Sequence, residues 1–269
     1  MKRNAFAIAL AFLAFSLGAD KASAASAQAC VVGTSSLQIG ARVTTSGGLA
    51  CDSLSMESSA ITNGGANINN IAGSTVRISG ATIYGPVSIA GAAPSAANGE
   101  LVNGGKIVGT VTTGAGVQAV LPTQTVTAGT DPITVNIGAP AKTIAAGNYS
   151  DVRIHGSSVT FTGGTYNLAS LTIDSGTIVF NPSGVPITIN VKGDIRLNGG
   201  FYSSGSPANV TLYSDSNKST AVGINSPITS FPGSITAPAG KVTIGGKVNV
   251  HGCVGGKIVW VDPDAIIGQ

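Results

Sequence analysis

The sequence predicts an all-β chain, a single-stranded parallel β-helix (β-solenoid) preceded by a cleaved signal peptide, on three observations. Runs of Val, Ile and Leu alternate with polar or small residues at the period of two that marks strands. The runs last three to five residues and stop at Gly, Asn or Pro, which bend the chain or break pairing. Gly supplies 38 of 269 residues, twice the roughly 7% of ordinary proteins. Sandwich and barrel strands are longer and more aromatic, whereas aromatic residues are 5% here. Disorder is excluded by aliphatic residues that recur along the whole chain.

The N-terminus reads as a secretory leader. Lys2, Arg3 and Asn4 are followed by an apolar stretch, Ala5 to Gly18, and then by Ala22-Ser23-Ala24. That order predicts cleavage between Ala24 and Ala25 and an exported protein: extracellular, cell-surface or periplasmic. The stretch is shorter than the ~20 residues of a permanent spanning helix. Cleavage removes Lys2, Arg3 and Lys21 from 14 basic residues and Asp20 from 11 acidic ones, leaving 11 and 10, a net charge of +1. A nucleic-acid-binding chain would show a clustered basic face, and an anionic membrane would want more cations. The expectation is therefore no nucleic-acid partner and no membrane insertion after processing.

The remaining chain divides at composition shifts. Residues 1–24 are the leader and 25–63 a lead-in segment with strand-like pieces such as Leu37-Gln38-Ile39. Residues 64–146 form a first solenoid section with an irregular connection, where Pro122, Pro132 and Pro140 punctuate strand-like Thr123–Thr127 and Ile133–Ile137. Residues 147–269 form a second section with the clearest rhythm: Val152/Ile154, Val159/Phe161, Leu171/Ile173, Ile178/Phe180, Ile187/Ile189/Val191, Ile195/Leu197, Val210/Leu212, Val242/Ile244, Val248/Val250 and Ile258/Trp260. Each coil buries a few aliphatic side chains and stacks them on the next.

Three cysteines suit an oxidising compartment. Cys30 and Cys51 lie close in sequence near the mature N-terminus, and a Cys30–Cys51 disulfide with Cys253 unpaired is the expected arrangement. Closing a loop of that size gains ~3 kcal/mol.

Residues 144–262 resemble an uncharacterised β-solenoid domain of exported bacterial envelope proteins, some associated with pilus assembly. The likeness rests on IAAGNYSDVRIHG, FTGGTYNLASLTIDSG, ITINVKGDIRLNGG, SPANVTLYSDS and FPGSITAPAGKVTIGGKVNVHGCVGGKIVWVD. It implies a solenoid and an envelope location, and brings no catalytic residues. Residues 64–91 are similar in rhythm to bactofilin-type polymer-forming β-helices; those are cytoplasmic, and the export signal here argues against a cytoskeletal role.

The candidate chemistry is a spaced set of charges. Asp151, Arg153 and His155 alternate with Val152 and Ile154 and so face outward. Asp174, then Lys192, Asp194 and Arg196, follow at intervals of about 20 residues, a common solenoid period. A carbohydrate-active β-helix, a lyase or hydrolase, would use such a column, with Arg153, Asp174, Asp194 and Arg196 as its catalytic candidates. The alternating signs suit a surface salt-bridge ladder better. His251 and Cys253 are two ligands where zinc needs three or four, so neither metal nor cofactor is implied.

The reading favoured is a secreted or cell-envelope scaffold or adhesion protein without catalysis, its partners being itself, cell-surface components or polysaccharide. The alternatives are the carbohydrate enzyme and an ice-binding or other ordered-surface-binding solenoid, the latter suggested by alternating Thr123, Thr125 and Thr127.

Overall fold

The computed structural model describes residues 29–69, 74–181, 184–203, 209–225 and 230–268. The predicted leader and the predicted Ala24/Ala25 cleavage site lie outside these residues. The described chain holds no α-helix, and no helix able to cross a membrane. Its strands are parallel and stack into a three-faced β-solenoid of about 11 turns.

The inward rows are those that the alternation marks. Val152, Leu171, Ile195, Val222, Val242 and Val259 stack coil on coil, at separations of 19, 24, 27, 20 and 17 residues. The row continues through Leu37, Leu54 and Val76, and almost every member is 2% exposed or less. One corner carries an aromatic spine. Phe161 stacks on Phe180 at 6.0 Å and meets Tyr166 edge-on at 5.2 Å. The buried Tyr166 hydroxyl lies 2.8 Å from the carbonyl oxygens of both Ile144 and Thr162, which share its single proton, so its polar end is satisfied.

The order of coils along the axis is not the order of the chain. Strand Ala29–Ile39 lies mid-stack, between Gly48–Met56 and Val254–Val261. From there the chain advances coil by coil to Val111–Thr113 at one end. It then returns to Ile133–Val135 at the other end and advances again until Val254–Val261 docks on Ala29–Ile39. Residues 29–63 form central coils of the stack. The two ends of the chain form adjacent coils.

That topology dictates the connection. Ten coil spacings at ~4.8 Å make ~48 Å. The twenty residues from Thr113 to Ile133 reach ~66 Å extended but only ~30 Å as a helix. The connection is accordingly an extended strap, and Thr123–Thr127 is not a strand. Thr123, Thr125 and Thr127 are exposed along this strap, which crosses coils singly, so they form no solenoid face.

The strap covers one face. Val117 exchanges hydrogen bonds with the Asn67 side chain at 2.8 and 3.0 Å. Ala119 and Leu121 bury against Ala29, Val32 and Ala50. Gln124 receives and returns a bond with the Tyr213 hydroxyl, 2.9 and 3.1 Å. Its side chain caps an amide ladder: Gln124 donates to Asn190 at 2.6 Å, Asn190 to Asn167 at 2.9 Å, and Asn167 to Asn148 at 2.7 Å. Such ladders of like amides repeat at the strand spacing of parallel stacks.

The junction between the chain's two halves has two clasps. The first is a Cys30–Cys253 disulfide, with Cα atoms 4.5 Å apart. This corrects the Cys30–Cys51 expectation. Val31 pairs with Val254, which brings the flanking cysteines together across the chain ends, while Cys51 pairs with Gly33 and points into the core as a free thiol. Burial, and then the Asp52 charge, push its pKa well above the usual thiol range. The second clasp is Arg42, whose Nε and Nη2 donate to the two Asp264 carboxylate oxygens at 2.6 and 2.8 Å. Both residues hold positive φ at the same corner, 60° and 66°. Lys247 and Ser59 on the flanking coils do likewise, at 65° and 62°. The corner is a repeated left-handed turn occupied mostly by non-glycine residues.

Candidate functional site

Two faces lie outside the strap. On one of them, a single outward rank runs the length of the solenoid. From one end it reads Thr134, Arg153, Thr172, Arg196 and Gly223. It continues through Thr243, Trp260, Gln38, Ser55 and Arg77. Each sits between two buried aliphatic residues of its strand, and the alternation therefore turns it outward. This face is called the open face below.

The predicted charge column is only partly brought together. Arg153 and Arg196 do share the rank, with Thr172 between them. Asp174 does not: the strand carries a register shift between Ile154 and His155, and Asp174 falls at the corner. There its Oδ2 lies 2.6 Å from His155 Nδ1. Asp194 precedes its strand and accepts from Lys218 Nζ at 2.8 Å and from Ser216 Oγ at 2.8 Å. Burial alone would raise its pKa, but these two bonds and the nearby Lys218 and Arg196 charges outweigh it and hold the carboxyl below its ordinary range. Arg153 lies 3.9 Å from Asp151, whose other oxygen accepts from Ser170. The three carboxylates thus have three different partners, and none faces another across a common point. Of the candidates, Arg153, Asp174 and Asp194 have separate surface partners in this fold, and Arg196 lies near Asp194 without a pairing contact of its own among the described residues.

Among the described residues, no group of three His, Cys, Asp or Glu side chains is placed to hold a metal ion. Cys253 is consumed by the disulfide, which removes the His251–Cys253 pair as ligands.

The residue that the alternation misassigns is Trp260. Ile258 and Trp260 do not point inward; Val259 and Val261 do, each 0% exposed. The strand reads VGGKIVWV, so both phases are apolar and period two alone does not choose between them. The phase changes at the corner after Gly256 and is set beyond it by Val259, which pairs with buried Leu37 and Val242. Ile258 and Trp260 remain 37% and 39% exposed on a flat sheet, and Lys241 Nζ sits 4.0 Å from the indole ring.

The fold and this geometry define a class: a β-solenoid with one strapped face, whose uncovered faces carry dispersed charges and exposed aromatic rings, Trp260 on the open face and Tyr84 on the other. No known protein family matches the chain, and no curated protein matches its sequence. Among solved structures, an ice-binding protein from an Antarctic Flavobacteriaceae bacterium is similar over 88% of this chain and 80% of that one. At 16% identity and a TM-score of 0.32, what that protein binds stays with that protein.

Proposed function

We propose that this is an exported, cell-envelope or secreted solenoid that works by adhesion through its uncovered flat faces, without a catalytic centre. The observation that carries this reading is the dispersal of the charges: His155 holds Asp174, Lys218 holds Asp194, and Asp151 lies beside Arg153. Acid–base catalysis needs groups that converge within hydrogen-bond reach of one reacting atom. The leader-like N-terminus and the envelope-domain resemblance of residues 144–262 support the location. The test is retention of the mature protein on intact bacterial cells and on immobilised cell-wall polysaccharide, run beside depolymerisation assays on pectin and alginate. Retention without chain cleavage is the expected result. Cleavage that disappears in Asp174→Ala would replace this reading with the enzymatic one.

A second reading, binding to an ordered surface such as ice, has its own observation on the remaining face. There Thr143 stacks on Thr160 and Ser158 on Thr177, in register on adjacent coils. The rank is broken one coil later by Val179. Inhibition of ice recrystallisation by the mature protein, lost in Thr160→Tyr, is the measurement that would promote it.

A further inference from the structure

The open face has a chemistry of its own. From Thr134 to Arg77 its rank holds three guanidiniums, an indole and small hydroxyl or amide side chains, with one carboxylate, Glu100, following Arg77 in the last coil. Arg153 and Arg196 are two coils apart; Trp260 lies three coils beyond Arg196 and Arg77 three coils beyond Trp260. At ~4.8 Å per coil these gaps are ~10, ~14 and ~14 Å.

Trp260 is the chain's single tryptophan. A large apolar ring left exposed on a rigid sheet, with Ile258 beside it, marks a binding surface more often than an accident of folding. Lys241 packs on the ring and limits its motion, so little side-chain freedom remains to be lost on binding. Gly223 separates Arg196 from Thr243 in the rank and carries no side chain. Gln38, next to Trp260, offers both a donor and an acceptor.

We infer that the open face binds a linear anionic polysaccharide lying along the solenoid axis, with Trp260 against the C–H face of one sugar ring and Arg153, Arg196 and Arg77 pairing with acid groups on others. The inference rests on the adhesion reading and names its partner. Guanidinium matches a carboxylate or sulfate in a two-point fork, and an aromatic ring matches the apolar side of a pyranose. Nucleic acid fits less well: a strand carries a phosphate every ~3.4 Å, and neutralising it takes denser cations than one per ~10 to ~14 Å. Three carboxylates compete. Asp194 feels the charge of Arg196 but is bonded by Lys218 and Ser216. Asp151 lies 3.9 Å from Arg153, a loose exposed contact that exchanges at little cost. Glu100 follows Arg77 at the end of the rank, and its Oε2 accepts the Ser95 N–H at 3.1 Å.

The lone tryptophan is its own reporter. Emission of the mature protein is titrated with oligomers of alginate and of polygalacturonate, with neutral dextran and with single-stranded DNA. A saturable change with an acidic glycan, weakening as salt rises, and none with dextran is expected. By calorimetry, Trp260→Ala weakens binding at least ~10-fold. Arg196→Ala weakens it ~2- to ~5-fold. Lys142→Ala, on another face, leaves it unchanged. Melting curves confirm that each outward variant stays folded. Equal affinity for dextran, tighter binding of the DNA, no binding of either acidic glycan, or an unaffected Trp260→Ala each overturns the inference. If the protein still adheres to cells when Trp260→Ala and Arg196→Ala bind like wild type, adhesion stands and this site falls. If it adheres to neither cells nor glycans, both fall.

Discussion

The strapped face and the open face share one core and differ only in what their strands point outward. Both send alternate Val, Ile and Leu residues inward, buried to within a few per cent. Over the middle coils, the strapped face presents Gly255, Val32 and Ala50 in one rank, next to the buried Leu121 and Ala119 of the strap. At the matching positions the open face presents Trp260, Gln38 and Ser55. Small outward residues make a groove that the chain fills with itself; larger and charged ones leave a surface for something else. In a solenoid the inward rows specify the fold, and the outward ranks decide which face is covered.

The junction between the two halves offers the largest test of that arrangement. The Cys30–Cys253 bridge closes a sequence separation of 223 residues beside the strapped face. Constraining so long a loop in the unfolded chain is worth about 5 kcal/mol in the chain-entropy treatment. Replacing both cysteines by serine is expected to lower stability by roughly 2–5 kcal/mol, read as a shifted denaturant midpoint. Peptide mapping of unreduced, denatured protein should find Cys51 as the labelled thiol. A labelled Cys253 would restore the Cys30–Cys51 pairing.

That pairing illustrates where the sequence stops being informative. Alternation exposes the inward rows because each strand carries its own local signal, from Val152/Ile154 through Val242/Ile244. Nothing local says that Val254 will lie beside Val31, because the neighbours are the two ends of the chain. The strap is hidden for the same reason. Thr123–Thr127 has the local pattern of a strand, and only the order of coils shows that it must span the stack. The Arg153–Arg196 alignment is legible from an average period of about 20 residues. Asp174 is not, because coils of 19 to 27 residues and a register shift displace it to the corner. Trp260 is lost to a strand that is apolar in both phases.

Leu121 tests the cover itself. It is 5% exposed, and its neighbours are the small residues of the strapped face. Leu121→Ala is expected to cost about 2–3 kcal/mol, the low end for a buried leucine because the strap can settle into the space. Hydrogen exchange should then rise at Val117 and Gln124, whose amides bond to Asn67 and Tyr213. The rows under the open face should exchange as before. Uniform loosening of every coil would mean that the strap is part of the core and not a cover.

The smallest expected effects come from a matched pair of glycines, and they separate the two faces most sharply. Gly255 and Gly223 both sit in outward positions of parallel strands, flanked by buried neighbours, one on each face. A Cβ added at Gly255 would come 2.7 Å from Leu121 Cδ2, well inside contact distance. Leu121 is itself buried, so relief requires the strap to move. Gly255→Ala is therefore expected to destabilise by about 1 kcal/mol, and Gly255→Val by up to about 3 kcal/mol. At Gly223 the nearest atoms to an added Cβ are Asn225 Nδ2 and Thr220 Cγ2, both at 3.6 Å, an ordinary van der Waals contact. Its backbone does not lie in the left-handed region, so an L side chain fits. There Gly223→Ala should be neutral or stabilising by up to about 1 kcal/mol, because it removes freedom from the unfolded chain without straining the folded one. Thermal melts of the two alanine variants should move in opposite directions or differ clearly in size. Equal destabilisation would mean that the open face is also covered, and the surface assigned to a partner would then belong to the protein's own packing.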